Sequence, residues 1–398
     1  MTSRTLARCL LPLALVALIA AASTRLLLHA QAPAAGSVQF VAHEIATGLR
    51  GGYQVVIADL NKDGKPDIIA VSFTGTADVV WYENPGWQRH VIAPAQTQTI
   101  NAAVYDIDGD GIPEIALSQG FATTTKASTG IITLLTHGAD VTQPWTSREI
   151  DRVTTAHRLR WVDGDGSGKK MLAVAPLIGP EAIEPDYKSP IALYFYRAPD
   201  WKRETITDTF TGLVHGLQPV KWTGVKGEAL LSAGFMGIYL HRFVNGKWTP
   251  TELTKGDPLP WPKSGSSDIA LGHLGAQAFI AAIDPWHGNE VVIYSESNGS
   301  WQRKQIDEIT DGHAMVTLDI DNDGRDEVVV GQRGGARSLM LYQASADGTT
   351  WAKRAIDEGG MAGSGCAAGD LNGDKRIDIV CIGSATANLK WYENVGKK

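Results

Sequence analysis

The sequence of 398 residues lacks several features that mark common functional classes. No block of lysine or arginine stands out among its 36 basic residues, and 43 acidic residues bring the formal net charge to −7. Because nucleic acid is bound by basic surfaces, it is not an expected partner. There is no Gly-x-Ser-x-Gly elbow, phosphate-binding loop, Cys-x-x-Cys pair or His-Glu-x-x-His motif, so the chemistries tied to those motifs have no support.

Long apolar runs are also scarce. One run covers residues 9–22, preceded by Arg4 and Arg8 and followed by small residues. About fourteen apolar residues are too few to span a bilayer, which favours a cleaved export signal over a membrane anchor. We therefore expect a signal peptide over residues 1–30, a short linker over residues 31–36, no membrane span after signal removal, and a secreted or periplasmic protein.

Cysteine is rare as well, with three in the chain. Cys9 lies in the expected signal, while Cys366 and Cys381 flank the last of several Asp-rich loops, on strands that should pair. An oxidising compartment would allow a disulfide between them. Of the two alternatives, we favour a pair of buried thiols.

What the sequence does contain is an internal repeat of about fifty residues. Its first sign is an aromatic residue followed five positions later by an aliphatic one, in seven copies. They are Phe40–Ile45, Trp87–Ile92, Trp145–Ile150, Trp201–Ile206, Trp248–Leu253, Trp301–Ile306 and Trp351–Ile356.

A short apolar strand follows each copy, and four times it ends in a complete acidic loop. A fifth loop, Asp163-Gly-Asp165, is truncated, and the equivalents near Trp222 and His273 have lost their acids. The complete loops are Asp59-Leu-Asn61-Lys-Asp63 closed by Asp67, Asp106-Ile-Asp108-Gly-Asp110 closed by Glu114, Asp319-Ile-Asp321-Asn-Asp323 closed by Glu327, and Asp370-Leu-Asn372-Gly-Asp374 closed by Asp378.

Four short strands per fifty-residue unit, with no helical period anywhere, predict an all-β fold of propeller blades. The chain begins with an outer strand over residues 38–46 and ends with a third strand over residues 388–394. We therefore expect a seven-bladed β-propeller over residues 37–398, with four-stranded blades, in which the N-terminal strand completes the last blade. The acidic loops and the strands that follow them resemble the FG-GAP/VCBS repeats of β-propellers.

Oxygen ligands at alternate positions of a tight loop suit calcium. The loops therefore predict structural Ca²⁺ that stabilises the hairpin between the first and second strands of a blade. The alternative is an Asx-type turn without an ion. In the last loop Lys375 stands where glycine is expected, which weakens that site. Besides the side chains named above, the expected ligands include the backbone carbonyls of Lys65, Ile112 and Arg325.

A second candidate site lies on the opposite face. Residues about six positions before each loop should start the innermost strands and surround the mouth of the central channel. These residues are Tyr53 and Gln54, Asn101, His157 and Arg158, His215, Asp268, His313 and Ser364. Three of the ten histidines occupy these equivalent positions. A polar channel mouth does not by itself require histidine there, so the pattern favours a functional role.

Loops between the second and third strands reach the same face. One contains Asp284-Pro-Trp286-His287, and a long loop over residues 178–190 carries Tyr187. Such loops commonly carry binding and catalysis. Converging imidazoles suit Zn²⁺ or another divalent metal, and they equally suit acid–base catalysis beside a cation. The candidate catalytic residues are His157, Arg158, His215, His287, His313 and Tyr187.

The segments Gly48-Leu-Arg50-Gly-Gly-Tyr53, Trp81-Tyr-Glu-Asn-Pro85 and Pro285-Trp-His287-Gly are similar to the propeller domain of aldos-2-ulose dehydratases. That resemblance implies a hydro-lyase that eliminates water from a keto-sugar such as 1,5-anhydrofructose or an aldos-2-ulose. Two alternatives stay open. A non-catalytic adhesion or carbohydrate-binding propeller needs only the calcium loops, and a polysaccharide lyase would want a more basic groove than this acidic chain suggests.

Overall fold

A computed structural model describes residues 36–397 of the chain. The predicted signal peptide and most of the predicted linker lie outside these residues. Within residues 36–397 no helix has the length and apolar character needed to cross a bilayer.

The described chain consists of 28 strands in seven antiparallel four-stranded sheets, which confirms the predicted all-β, seven-bladed propeller. Blades 1 to 3 contain β2 Gly52–Ala58, β3 Asp67–Ser72, β4 Thr76–Glu83 and β5 Gln88–Thr97; β6 Asn101–Tyr105, β7 Glu114–Gln119, β8 Ile131–Thr136 and β9 Thr146–Arg152; and β10 Ala156–Val162, β11 Met171–Pro176, β12 Pro190–Tyr196 and β13 Glu204–Thr211.

The remaining strands form blades 4 to 7. They are β14 Val214–Val220, β15 Ala229–Gly234, β16 Gly237–Val244 and β17 Lys247–Thr254; β18 Ile269–Leu274, β19 Gln277–Asp284, β20 Glu290–Ser297 and β21 Ser300–Glu308; β22 Gly312–Leu318, β23 Glu327–Gln332, β24 Leu339–Ala344 and β25 Trp351–Asp357; and β26 Gly363–Gly369, β27 Asp378–Gly383, β28 Asn388–Lys397 and β1 Val38–Thr47.

The N-terminal strand closes the ring. β1 pairs antiparallel with β28, and Phe40 lies opposite Asn394. The seventh sheet has the order β1-β28-β27-β26, so the first strand of the chain is the outer strand of the last blade. This pairing leaves no open seam between the ends of the ring and agrees with the sequence-based expectation.

Apolar second strands form the core between blades. In β3, β11, β15, β23 and β27 every residue is buried, because neighbouring blades cover both faces of the sheet. Removing these Val, Ile, Leu and Ala side chains from water is the main source of stability of such a stack.

Asparagine in the repeated Trp-Tyr-Glu-Asn segment joins adjacent blades. Asn84 donates from Nδ2 to the carbonyl of Leu371 in the preceding blade at 2.7 Å, and Asn394 donates likewise to Ile320 at 2.9 Å. A buried acid also fixes each asparagine. The backbone N–H of Asn84 donates to Asp67, and that of Asn394 donates to Asp378. The segment therefore connects adjacent blades through hydrogen bonds.

The expectation of two buried thiols is wrong. Cys366 and Cys381 form a disulfide, with Cα atoms 4.2 Å apart. The physical reason is register, because the two residues lie directly opposite each other on β26 and β27. The spacing around the acidic loop alone did not specify that alignment.

Candidate functional site

The first residues of the innermost strands meet around the mouth of the central channel, as the repeat predicts. His157 and Arg158 lie on β10, His215 on β14 and His313 on β22, and His287 reaches the same point from the loop after β19. Ring centroids are 4.8 Å apart for His157 and His215, and 5.1–5.2 Å apart among His215, His287 and His313. His157, His215 and His313 are each 3% exposed or less.

The tautomers of two histidines follow from their hydrogen bonds. His313 Nδ1 lies 2.6 Å from the backbone carbonyl of Ser364, which can only accept, so Nδ1 carries the proton. Its Nε2 is buried without a hydrogen-bond partner among the described residues. His215 Nδ1 is 3.1 Å from Ser267 Oγ, and its Nε2 faces Arg158 Nη2 at 3.5 Å, a group that can only donate. Both rings therefore present an unprotonated Nε2.

Arg158 links the remaining groups. Its guanidinium donates to the Tyr53 hydroxyl and to Asp268 Oδ1, both at 3.3 Å. It also lies 3.2 Å from His157 Nε2 and 3.5 Å from His215 Nε2. Because arginine can only donate, both of these ring nitrogens are acceptors. Arg158 is thus a buried cation balanced by one carboxylate.

His287 differs from the other three rings. Arg333 Nη2 approaches His287 Nδ1 at 3.3 Å and is itself held by Asp311 at 2.8 Å. Since Arg333 donates, the neutral His287 ring carries its proton on Nε2. The cluster therefore combines three acceptor nitrogens with one ring N–H donor.

Burial and nearby cations keep these rings neutral. The pKa values of His157, His215 and His313 are lowered well below the ordinary value, first by desolvation and then by neighbouring charges, among which Arg158 acts on His157 and His215. Desolvation and Arg333 lower the pKa of His287 to about 4. Neutral imidazole is the form that accepts protons and ligates metals.

The donor set fits a divalent metal ion. One ring nitrogen from each of His215, His287 and His313 lies within 4.8 Å of the other two. The Nδ1–H groups of His215 and His313 face oxygens that would lie outside the coordination sphere of the ion. This is the usual arrangement of ligating histidines. His287 would become a ligand through Nε2 once its proton had moved to Nδ1, which would end its contact with Arg333.

Tyr187 lies apart from the histidine cluster. Its ring packs edge-on against Phe235 and Trp286, and it is 7% exposed. The loop that carries it is tied down by Trp261, whose Nε1 donates to the carbonyl of Asp186 at 2.7 Å. The structure thus assigns Tyr187 to an aromatic layer beside the mouth, where its hydroxyl does not contact the histidines.

The sequence placed Tyr53 and Asp268 at the channel mouth but not among the catalytic candidates, and those candidates also did not include Arg333 or Arg160, although all four belong to the site. Tyr53 and Asp268 occupy the same strand-start slot as the histidines, so the repeat contained the signal that could have found them. Arg333 lies directly after β23, in the loop of blade 6 that corresponds to the His287 loop of blade 5. Arg160 had no signal beyond its spacing from Arg158 on one strand face.

The acidic loops lie between the first and second strands of their blades, on the opposite face. Two of the four bring three carboxylates within 4.8 Å, namely Asp106, Asp108 and Glu114, and Asp319, Asp321 and Glu327. In both loops the closing residue is a glutamate. The third acid of each loop, Asp110 or Asp323, and the backbone positions Ile112 and Arg325 follow in the same turns.

In the other two loops the closing residue is a shorter aspartate, and backbone N–H groups occupy both of its oxygens. Asp67 accepts from Leu60 and Asn84, each at 2.9 Å, and Asp378 is held in the same way. As in the glutamate-closed loops, where Asp106 accepts from Gly111 and Asp319 from Gly324, the loop acids serve as turn acceptors. Asp59 accepts from Asp63 and Gly64, and Asp63 accepts from Lys65. Asn61, Asp370, Asn372 and Asp374 accept backbone N–H groups in the same manner.

Lys375 keeps the turn that glycine makes elsewhere. Its φ is 68°, in the left-handed region, where Gly64 and Gly324 have φ of 83°. A lysine pays a steric cost there that glycine does not. The last loop therefore has the predicted shape despite its unexpected residue.

Comparison with known proteins agrees with the motifs. Residues 129–297 match the family described as aldos-2-ulose dehydratase, beta-propeller domain. The chain resembles that domain. Residues 59–117 and 319–381 match FG-GAP-like repeats, so both expected resemblances are confirmed. The dehydratase-like region contains His157, His215 and His287, whereas His313 lies beyond it.

A curated relative and two solved structures extend the comparison. Aldos-2-ulose dehydratase of Phanerodontia chrysosporium is 24% identical over 267 residues, which are 58% of this chain but 29% of that protein. Saccharomyces cerevisiae Sqt1 has a TM-score of 0.56 at 8% identity, covering 92% of this chain and all of that one. BBS1N in complex with ARL6DN has a TM-score of 0.55 at 12% identity, covering 91% and 98%. At such identities the two structures show the fold alone.

Proposed function

We propose that this protein is a hydro-lyase that eliminates water from a keto-sugar such as 1,5-anhydrofructose or an aldos-2-ulose. One observation carries the proposal: four neutral histidines, three of them buried and His287 half-buried, converge with Arg158 at the mouth of the channel. Three of the four lie in the region that is similar to the dehydratase propeller domain. A propeller that only binds calcium has no need of this cluster.

The residues suit such an elimination. An unprotonated Nε2, on His157, His215 or His313, takes the proton from the carbon next to the keto group. Arg158 and the Nε2–H of His287 donate to the keto oxygen and stabilise its growing negative charge. As the C–O bond to the β-hydroxyl breaks and the C=C bond forms, the imidazolium returns its proton to the departing oxygen, which leaves as water.

A divalent ion such as Zn²⁺ would be held by His215, His287 and His313, and the Nε2 of His157 would then be the proton acceptor that remains. When bound, the ion would act as a Lewis acid on the keto oxygen. The protein's own contribution would then be to fix the rings of His313 and His215 through Ser364 and Ser267, and to exclude water from the mouth.

The test is to incubate the purified full chain with 1,5-anhydrofructose and with glucosone, with and without Zn²⁺, and to follow enone absorbance. We expect product with the native protein, and a loss of about 100-fold or more in His157→Ala or His215→Ala. His273→Ala, an exposed histidine on the opposite face, is the matched control. Sugar binding without turnover in any form would support a non-catalytic binding propeller, and unsaturated product from a uronate polymer alone would support a polysaccharide lyase.

We also propose that the protein is exported and that calcium braces the propeller. The glutamate-closed loops of blades 2 and 6 are the best candidate sites, since their three carboxylates converge. Burial and the neighbouring Asp321 and Asp323 raise the pKa of Glu327 to about 7, a cost that a cation would offset.

A further inference from the structure

A cavity of about 170 Å³ continues from the histidine layer into the central channel. Its wall includes Arg158 and Arg160 from one strand, together with Asn101, Asp268 and Ser364. The two arginines are two residues apart on β10, so their side chains leave the same face of the strand. The cavity extends beyond the groups that the proposed elimination uses.

Arg160 has no carboxylate partner within residues 36–397. Only its Nη1 finds protein acceptors, the Oδ1 of Asn101 at 3.0 Å and the carbonyl of Leu159 at 2.8 Å. Desolvation and the charge of Arg158 lower the pKa of Arg160, but only to about 10, so it is a cation at neutral pH. A guanidinium in a narrow channel without a counter-ion is an unusual and costly arrangement.

The local charge of the cavity is opposite to that of the whole chain. Two guanidinium groups face one carboxylate, Asp268, which already contacts Arg158. Ser364 adds a hydroxyl that is 3% exposed and has no hydrogen-bond partner in the described chain. Low-dielectric walls strengthen the field of an uncompensated positive charge, so the cavity attracts anions although the protein is acidic.

We propose that this cavity is a binding subsite for a carboxylate-type monovalent anion, held by Arg160 with Arg158 and Ser364 beside it. A planar guanidinium recognises a carboxylate through two parallel hydrogen bonds. The anion has two possible sources. It is either a carboxylate carried by the substrate, which would make the substrate a keto-sugar acid, or a free anion that occupies the channel beneath a neutral sugar.

Calorimetric titration of acetate into the full chain tests the subsite without any need for turnover. The buffer anion should be a large organic one, so that it does not compete with acetate for the cavity. We expect binding to the native protein, and affinity weakened by about tenfold or more in Arg160→Met. Arg160→Lys, which keeps the charge, should recover part of it. Arg242→Met, an exposed arginine of an outer blade surface, should bind as the native protein does.

Two results would overturn the proposal: no acetate binding to the native protein, or equal affinity in Arg160→Met when thermal denaturation shows both proteins folded. Acetate binding that a chelator abolishes, and that Arg160→Met leaves unchanged, would place the anion on a metal ion and would overturn it as well.

The source of the anion is decided by activity and therefore rests on the proposed function. 2-Keto-gluconate has the same keto, C–H and β-hydroxyl arrangement as 1,5-anhydrofructose, with a carboxylate added. Preference for 2-keto-gluconate that disappears in Arg160→Met would identify the substrate's own carboxylate. Turnover of 1,5-anhydrofructose while acetate stays bound would identify a free anion. If neither sugar reacts, the hydro-lyase proposal fails while the acetate titration still decides the subsite.

Discussion

His313 donates its Nδ1 proton to the backbone carbonyl of Ser364, across the boundary between blades 6 and 7, with 2.6 Å between nitrogen and oxygen. A backbone carbonyl cannot donate, so this contact leaves His313 Nε2 as a buried acceptor that has no hydrogen-bond partner in residues 36–397. Arg158 of blade 3 likewise sets the tautomer of His215 in blade 4, because its guanidinium, 3.5 Å from Nε2, can only donate and makes that nitrogen the acceptor. Neighbouring blades thus set the protonation of rings that the repeat only brings to the mouth.

Removing one of these rings should weaken Zn²⁺ binding at the proposed site. We expect His313→Ala to bind Zn²⁺ at least about 100-fold more weakly than the native protein, because two nitrogen ligands hold the ion far less well than three. Competition with a chromogenic chelator measures the affinity. His273→Ala should leave it unchanged, and native affinity in His313→Ala would exclude this ring as a ligand.

A buried histidine away from the site should make the fold sensitive to acid. Burial lowers the pKa of His241 to about 3, and Ser232 occupies its Nε2 at 2.8 Å. As pH falls from about 7 to about 5, the unfolded chain takes up a proton that the folded chain refuses, so this histidine lowers the free energy of unfolding.

Urea unfolding at the two pH values measures this effect. The native protein should lose more stability on acidification than His241→Gln, which cannot titrate at that position. His273→Gln, an exposed change, should follow the native protein. Parallel losses in the native protein and His241→Gln would show that His241 does not contribute.

Calcium should act through the glutamate-closed loops. We expect Ca²⁺ to raise the melting temperature, and to do so more at pH 8 than at pH 5, because Glu327 with its raised pKa is protonated in acid and ionised in base. Glu327→Gln should reduce the number of bound Ca²⁺ ions, measured by calorimetric titration.

Asp67→Asn is the informative comparison for calcium. Both oxygens of Asp67 accept backbone N–H groups, so this change should lower stability by about 1–3 kcal/mol without changing the Ca²⁺ stoichiometry. A lost Ca²⁺ ion in Asp67→Asn would show that the aspartate-closed loops bind calcium as well.

The disulfide should contribute measurably to stability. Cys366 and Cys381 are separated by 15 residues, and closing a loop of that length restricts the unfolded chain by about 3 kcal/mol. Denaturant unfolding should show a loss of that size in Cys366→Ser/Cys381→Ser. Non-reducing peptide mass spectrometry checks the bond itself, and a native protein that alkylates at both cysteines would contradict it.

Much of the fold could be predicted because the repeat is local. The aromatic–aliphatic pairs mark the outer strands, the acidic loops mark the hairpins between first and second strands, and the matching ends predict closure by β1. The strand-start slot likewise predicted that His157, His215 and His313 would meet. The cysteines were misjudged because their bond depends on strand register, which sequence spacing does not contain. The contacts of Tyr187 with Phe235 and Trp286 likewise depend on packing between loops.

The sequence by itself determined the number of blades, the closure of the ring and the convergence of histidines and Arg158, because each follows from a period repeated along the chain. The tertiary structure alone decided which ring nitrogens accept protons, which loops gather three carboxylates, and that Arg160 faces the channel with no carboxylate partner among residues 36–397. Those properties depend on contacts between neighbouring blades, where distances of a few ångströms and the exclusion of water set charge and protonation.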